Sequence, residues 1–328
     1  MALGGGKSTA RWRTWLRLAL LVLFLGFVAL LLVKQWPQVR PLLRRLDPVA
    51  IVAAAAAVLA GVFATFRAWR SVLANLGSPL PQAAGMRVFF LGQLGKYLPG
   101  SVWPVLAQME LGRDYEVPER ASAAAFAVFV LLILGTGLVL TVPAVPLLGH
   151  GAHSPLSGWW ALAALVVALV VALPPVLNRL LALALRLARR QPMPVPLSAA
   201  GIGRAAGWAL LSWLCYGLHV FVLAGALGSG HGALLLLQST GAFAAAWCAG
   251  FLLIAAPAGA GIREAVLVLL LGAAIGRSPA TVIALLSRLL FLLADLGWAA
   301  LSAALPRRSS RGTDGSPRGP RPRSQQSV

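Results

Sequence analysis

Residues 49–66 read VAIVAAAAAVLAGVFATF, a run with no charged residue. At 1.5 Å per residue it makes a helix of about 27 Å, close to the roughly 30 Å of a bilayer's hydrocarbon layer. Comparable runs recur at about 16–33, 121–148, 157–177, 205–228, 233–256 and 281–305, with a shorter one at 262–276. The chain has 328 residues, 59% hydrophobic and 11% charged, with a mean hydropathy of +0.83. One water-facing globule cannot absorb that composition, because its surface needs more polar side chains than exist here. A soluble enzyme, a disulfide-rich secreted domain and a disordered chain are excluded. The expected fold class is all-α: a polytopic membrane bundle of about eight transmembrane helices with one or two re-entrant segments.

The formal net charge of +20 is distributed unevenly. Lys7, Arg11, Arg13 and Arg17 sit ahead of the first run, six arginines follow Leu305, and the segment 178–204 carries Arg179, Arg186, Arg189, Arg190 and Arg204. The loops 142–156 and 229–232 contain histidines (His150, His153, His231) but no Lys or Arg. The excess of Lys and Arg in cytoplasmic loops places both termini and 178–204 in the cytoplasm of a cell-membrane protein. The loop 34–48, with Lys34, Arg40, Arg44 and Arg45, runs against this pattern. No recognition motif accompanies the basic charge, so no nucleic-acid partner is expected. The domain reading is a basic N-terminus at 1–15, a membrane domain at 16–305 and a disordered Arg/Pro/Ser/Gly tail at 306–328. Cys215 and Cys248 lie in apolar runs and read as small buried hydrophobes. The histidines lack metal-ligand spacing, so neither a metal nor a cofactor is assigned.

Two stretches break the apolar pattern. The first is GQLGKYLPGSVWP at 92–104, within the segment 84–108. Glycines and Pro99-Gly100 interrupt the helix there, beside Lys96, Tyr97 and Trp103. Broken backbone at membrane depth is tolerated only against protein or a wet cavity, so the segment is expected to dip in and return. Lys96 with freed backbone N–H groups suits a phosphate. Alternatively, Lys96 snorkels to the interface and the aromatic rings sit in an interfacial belt. The second break is APAGAGIRE at 256–264, where Gly259 and Gly261 precede a helix opening with Arg263 and Glu264. An ionisable residue at such a place is either functional or part of a structural ion pair. Arg288 and Asp295 share a face of the last span, about 10 Å apart along its axis. That is too far for a direct pair, so each is expected to meet a partner on another helix, Arg288 with Glu264 first. Gln238, Ser239 and Thr240 are expected to form interhelical hydrogen bonds. The two breaks resemble each other over about ten positions, which suggests an internal repeat with a binding site between its halves.

The pair GKYLPGSVW at 95–103 and PAGAGIREAVL at 257–267 resembles the lysylphosphatidylglycerol synthase transmembrane-region family. That family includes flippase-like proteins and the membrane half of the multiple peptide resistance factor. Pro257, Gly259, Gly261, Arg263 and Glu264 fit its second motif, while Ala258 replaces a glycine, and Trp103-Pro104 and Gln108 depart from the first. These departures point to a divergent branch, and no aminoacyl-transferase domain is expected after Leu305. The resemblance implies a helical bundle that binds or moves lipids with modified or phosphate-bearing headgroups. The expected headgroup residues are Lys96, Tyr97, Pro99, Gly100, Trp103, Gly259, Gly261, Arg263, Glu264, Arg288 and Asp295. The expected partners are a membrane phospholipid or polyprenyl-linked lipid, with a separate lipid-modifying synthase and a second copy of the chain as further partners. Two alternatives stand beside this reading. One is a transferase acting on a lipid-linked sugar or aminoacyl donor, using Glu110, Asp114, Glu116 and Glu119; a solvated loop explains the same acids. The other is a small-molecule transporter.

Overall fold

The computed structural model describes residues 46–97, 102–148, 173–187, 189–252 and 259–306, with positions 37, 40, 41, 163, 166 and 170; of 143–148 only the backbone is described. The expected first span at 16–33, most of 157–177, the N-terminus 1–15, the tail beyond Pro306, and Pro99, Gly100, His150 and His153 lie outside these residues.

The described residues form nine α-helices, one 3₁₀ turn and no strand. The first half comprises α1 (Pro48–Asn75), the short pair α2 (Gln82–Gln93) and α3 (Trp103–Arg113), and α4 (Glu119–Leu148). After α5 (Pro174–Leu187) come α6 (Ala199–Ala226), the pair α7 (Ala233–Leu252) and α8 (Ile262–Ile275), and α9 (Arg277–Ala304). Five helices, α1, α4, α6, α7 and α9, are long and apolar enough to cross a membrane. The chain is a polytopic helical membrane protein.

Local chemistry sets the helix ends. Asp47 caps α1 by accepting the Val49 N–H at 3.0 Å, with Pro48 at the first helical position. Ser198 caps α6 through the Gly201 N–H at 3.1 Å and is itself held by Asn75 from the end of α1. The 49–66 run therefore extends to Asn75. The span expected from 205 begins at Ala199, because the cap lies outside the apolar stretch.

Helices α1 and α6 form the most extensive contact in the molecule and run antiparallel. Gly61 lies against Tyr216, the Arg67 guanidinium stacks on Trp208 at 4.8 Å, and Asn75 meets Ser198. Around this pair the neighbour relations repeat. Helix α4 packs on α7 as α9 packs on α2, α3 packs on α4 as α8 packs on α9, and α1 touches both α4 and α9 as α6 does. Exchanging α1–α4 with α6–α9 carries these relations onto one another. With α1 and α6 antiparallel, the two halves form an inverted repeat.

Helices α2 and α3, about 18 and 17 Å long, are each too short to cross. They fold into a hairpin that enters from the end carrying Asn75 and Ser198. Arg87 anchors the base of the hairpin there by donating to the carbonyls of Ser302, Ala303 and Leu305 at the end of α9. Phe90 stacks on Trp298 at 5.2 Å and Phe89 packs on Trp69 at 5.4 Å, holding α2 to α9 and α1. The second hairpin, α7 with the 14-residue α8, enters from the opposite end.

With lipid on the outside, close packing rather than water exclusion holds such helices together, and small residues permit it. Gly137 is one example: a Cβ there would stand 2.8 Å from the Cys248 sulfur. Gly217 is another, since its Cβ would overlap the Thr240 hydroxyl and approach the Thr240 Cα to 2.8 Å. Gly217→Val is expected to cost about 1–3 kcal/mol by forcing α6 and α7 apart, read as a lowered thermal midpoint of the purified protein. For Ser239 and Thr240 the expected interhelical hydrogen bonds need correction here. Thr240 Oγ1 donates back to its own helix at Leu236, and Ser239 Oγ has no hydrogen-bond partner. The close glycine contact brings the helices together instead.

Candidate functional site

Both hairpin tips meet α9 near its middle. That helix is about 42 Å long, and Arg288 and Asp295 fall on either side of its centre. Charge this deep in an apolar bundle is costly to hold, which makes the place the candidate site.

At the first tip, the 3₁₀ turn Leu94–Tyr97 continues α2 and ends on Lys96 and Tyr97. Gly95 permits the arms to close, because a Cβ there would lie 2.8 Å from the backbone of Trp103 and Pro104. Tyr97 Oη donates to Asp295 Oδ2 at 2.6 Å, and Lys96 Nζ stands 2.6 Å from the same oxygen. Asp295 and Tyr97 are buried, whereas the Lys96 side chain retains 32% exposure. Tyr97 is thus part of the charged centre rather than of an interfacial belt. Trp103 opens α3, half-buried.

At the second tip, Gly259 and Gly261 adopt φ of +68° and +84°, conformations that side chains oppose. Gly259 also lies against the backbone of Gly250 on α7; a Cβ would come within 2.9 Å of the Gly250 Cα. This turn starts α8 deep in the bundle and fixes Arg263 and Glu264 in its first turn. Glu264 Oε2 accepts the Gly261 N–H at 2.6 Å, and Oε1 lies 3.4 Å from Arg288 Nη1, the partner expected from sequence. Arg263 turns the other way. Its guanidinium lies against both Phe243 and Phe291, 4.6 and 4.4 Å from the centroids of rings that themselves stack at 5.4 Å, and the residue is 9% exposed. Its Nη2 is shut off from solvent without a hydrogen-bond partner.

The two tips share one electrostatic field. Arg263 and Arg288 both act on Tyr97, and Arg263 also acts on Glu264 and Tyr216. Lys96, Arg263 and Arg288 outnumber Glu264 and Asp295, leaving an excess of positive charge in a low-dielectric interior where such an excess attracts anions strongly. Phe243 and Phe291, which Arg263 lies against, were not singled out from the sequence. Phe291 could have been, since it lies between Arg288 and Asp295 on one helix face; Phe243 had no signal in an apolar run.

The acidic cluster at the base of the first hairpin is organised differently. Arg113 bonds Glu110 at 2.8 Å and also pairs with Glu119, while Asp114 and Glu116 are exposed. Among the described residues no three His, Cys, Asp or Glu side chains come together as a metal site would require. A cavity of about 360 Å³ lies beside this cluster, lined by Leu80, Tyr115, Arg120 and Met193 among others. Arg120 there is already bonded to Gln191 at 2.9 Å.

Comparison with curated proteins finds no match. Among known families, residues 14–299 match the Lysylphosphatidylglycerol synthase TM region. The match runs from ahead of α1 into the last turns of α9 and takes in both hairpins and all five site charges, so the chain belongs to the Lysylphosphatidylglycerol synthase TM region family.

Proposed function

We propose that this protein binds lipids bearing a phosphate headgroup at the two hairpin tips and carries the headgroup across the membrane. The observation behind this reading is the unpaired, solvent-shielded Nη2 of Arg263 within a cluster holding more cations than carboxylates. A buried donor without an acceptor is rare and costly, and an anionic oxygen would satisfy it. Arg263, Arg288 and Lys96 would face the phosphate, and Glu264 and Asp295 would hold those cations in place or meet a cationic group on a modified headgroup. Gly259, Gly261, Tyr97 and Trp103 would shape the walls. The family match supports a lipid as the cargo. The inverted repeat supports a carrier with its site at mid-depth.

The same reading orients the protein. Arg70, Arg87, Arg113, Arg120, Arg190 and Arg204 cluster at the end where the first hairpin enters, which we assign to the cytoplasmic side of the cell membrane, with both termini there.

The test is movement of fluorescent short-chain phosphatidylglycerol across vesicles containing the purified protein. Wild type should accelerate it, and Glu264→Ala and Arg288→Ala should each reduce it about tenfold or more, since each breaks the largely buried Glu264–Arg288 pair. Undiminished movement in both variants removes the site assignment. Mass analysis of lipids extracted with the purified protein identifies the cargo.

A further inference from the structure

His219 on α6 is buried in the bundle beside the candidate site, yet no step above uses it. Its Nε2 is 3.0 Å from Ser287 Oγ on α9, and its ring packs edge-on against Phe243 at 4.9 Å and Phe291 at 5.7 Å, the two rings that Arg263 lies against. Its Nδ1 is shielded from solvent and has no hydrogen-bond partner. One ring nitrogen is therefore engaged, while the other is left open to a proton.

We infer that His219 is a proton-binding site coupled to anion binding at Arg263. The inference rests on the headgroup reading above. Arg263, from α8, is the charged group that packs on the same two rings as His219. The other ionisable groups around it are Tyr216 on its own helix, Glu264 beside Arg263, and Arg288 and Asp295 on α9; α7 contributes Phe243 and Ser239, and α1 contributes Thr65, bonded to Tyr216. A guanidinium and an imidazolium packed on the same two rings repel each other. A phosphate oxygen seated on Arg263 cancels that repulsion, and the open Nδ1 of His219 then holds a proton. Linkage makes the effect reciprocal, so the protonated protein binds the anion more tightly. The headgroup's negative charge would thus travel with a compensating proton, and a proton gradient could bias its movement.

The experiment measures binding of short-chain phosphatidylglycerol to the full-length protein in detergent from mildly acidic to mildly alkaline pH. This lipid is a phosphodiester whose own charge is constant over that range. Uptake of one proton predicts that affinity falls with rising pH by up to about tenfold per unit. His219→Gln keeps a hydrogen-bonding group toward Ser287 and cannot titrate, so binding should persist with the pH dependence lost. Should that variant fail to fold, proton uptake by wild type on lipid addition, followed with an indicator dye in weak buffer, decides the matter. Binding that is independent of pH in wild type, or an unchanged slope in His219→Gln, overturns the proton site and leaves the headgroup reading standing. Absence of binding at every pH removes both.

Discussion

Asp295→Ala is expected to reduce lipid movement about thirtyfold and to lower the thermal midpoint of the purified protein. One carboxylate oxygen there receives both the Tyr97 hydroxyl and the Lys96 ammonium, each at 2.6 Å, and it joins the first hairpin tip to α9. Removing one partner of a buried ion pair costs about 3–5 kcal/mol. Lys96 remains one-third exposed and recovers part of its hydration, so the loss falls to about 2 kcal/mol. Asp295→Asn separates two contributions: it can still accept from Tyr97 but no longer balances Lys96, so it should be more stable than alanine while moving lipid equally poorly. The double substitution Lys96→Met with Asp295→Leu replaces the pair by apolar groups. It should regain stability without regaining movement. If the double variant moves lipid at the wild-type rate, the pair is structural only and the first tip plays no part in holding a headgroup.

The second large effect is expected at Gly259. Its φ of +68° disfavours any side chain, and a Cβ would lie 2.9–3.0 Å from backbone atoms of Gly250, which have no freedom to rotate away. The left-handed conformation costs about 1 kcal/mol and the overpacking about 1–3 more. Gly259→Ala should therefore lower the thermal midpoint, and it should also displace Arg263 and Glu264, which this turn positions. Gly250→Ala meets the Arg263 Cβ at 3.1 Å and should be milder. Gly207→Ala, on α6 with nothing within 4 Å, is the neutral control. Equal midpoints for Gly259→Ala and Gly207→Ala would show that the second turn is not held as described.

Several features of the site could be read before the fold was known. Glu264 and Arg288 could be matched because both are charges in apolar surroundings, and a carboxylate at a helix start needs a cation. Both hairpins were marked by Pro and Gly in runs otherwise suited to spanning. The partner of Asp295 could not be read in the same way. Lys96 lies 199 positions away, and its contact depends on the depth to which α2 carries the first tip. The role of Tyr97 was ambiguous for the same reason, because an interfacial ring and a buried donor look alike in sequence.

The sequence by itself determined the class of molecule, the helical segments, the basic end and the two breaks, since each follows from local composition: hydropathy against bilayer thickness, arginine placement, and Pro/Gly punctuation. The tertiary structure alone decided that the hairpins enter from opposite ends and converge on the centre of α9, that Arg263 lies against the stacked rings of Phe243 and Phe291, and that the halves form an inverted repeat around α1 and α6. Those outcomes depend on which helix faces meet, and glycine contacts between distant helices set that. In a chain where nearly every helix is apolar all round, the pattern along one segment carries little information about which side turns inward.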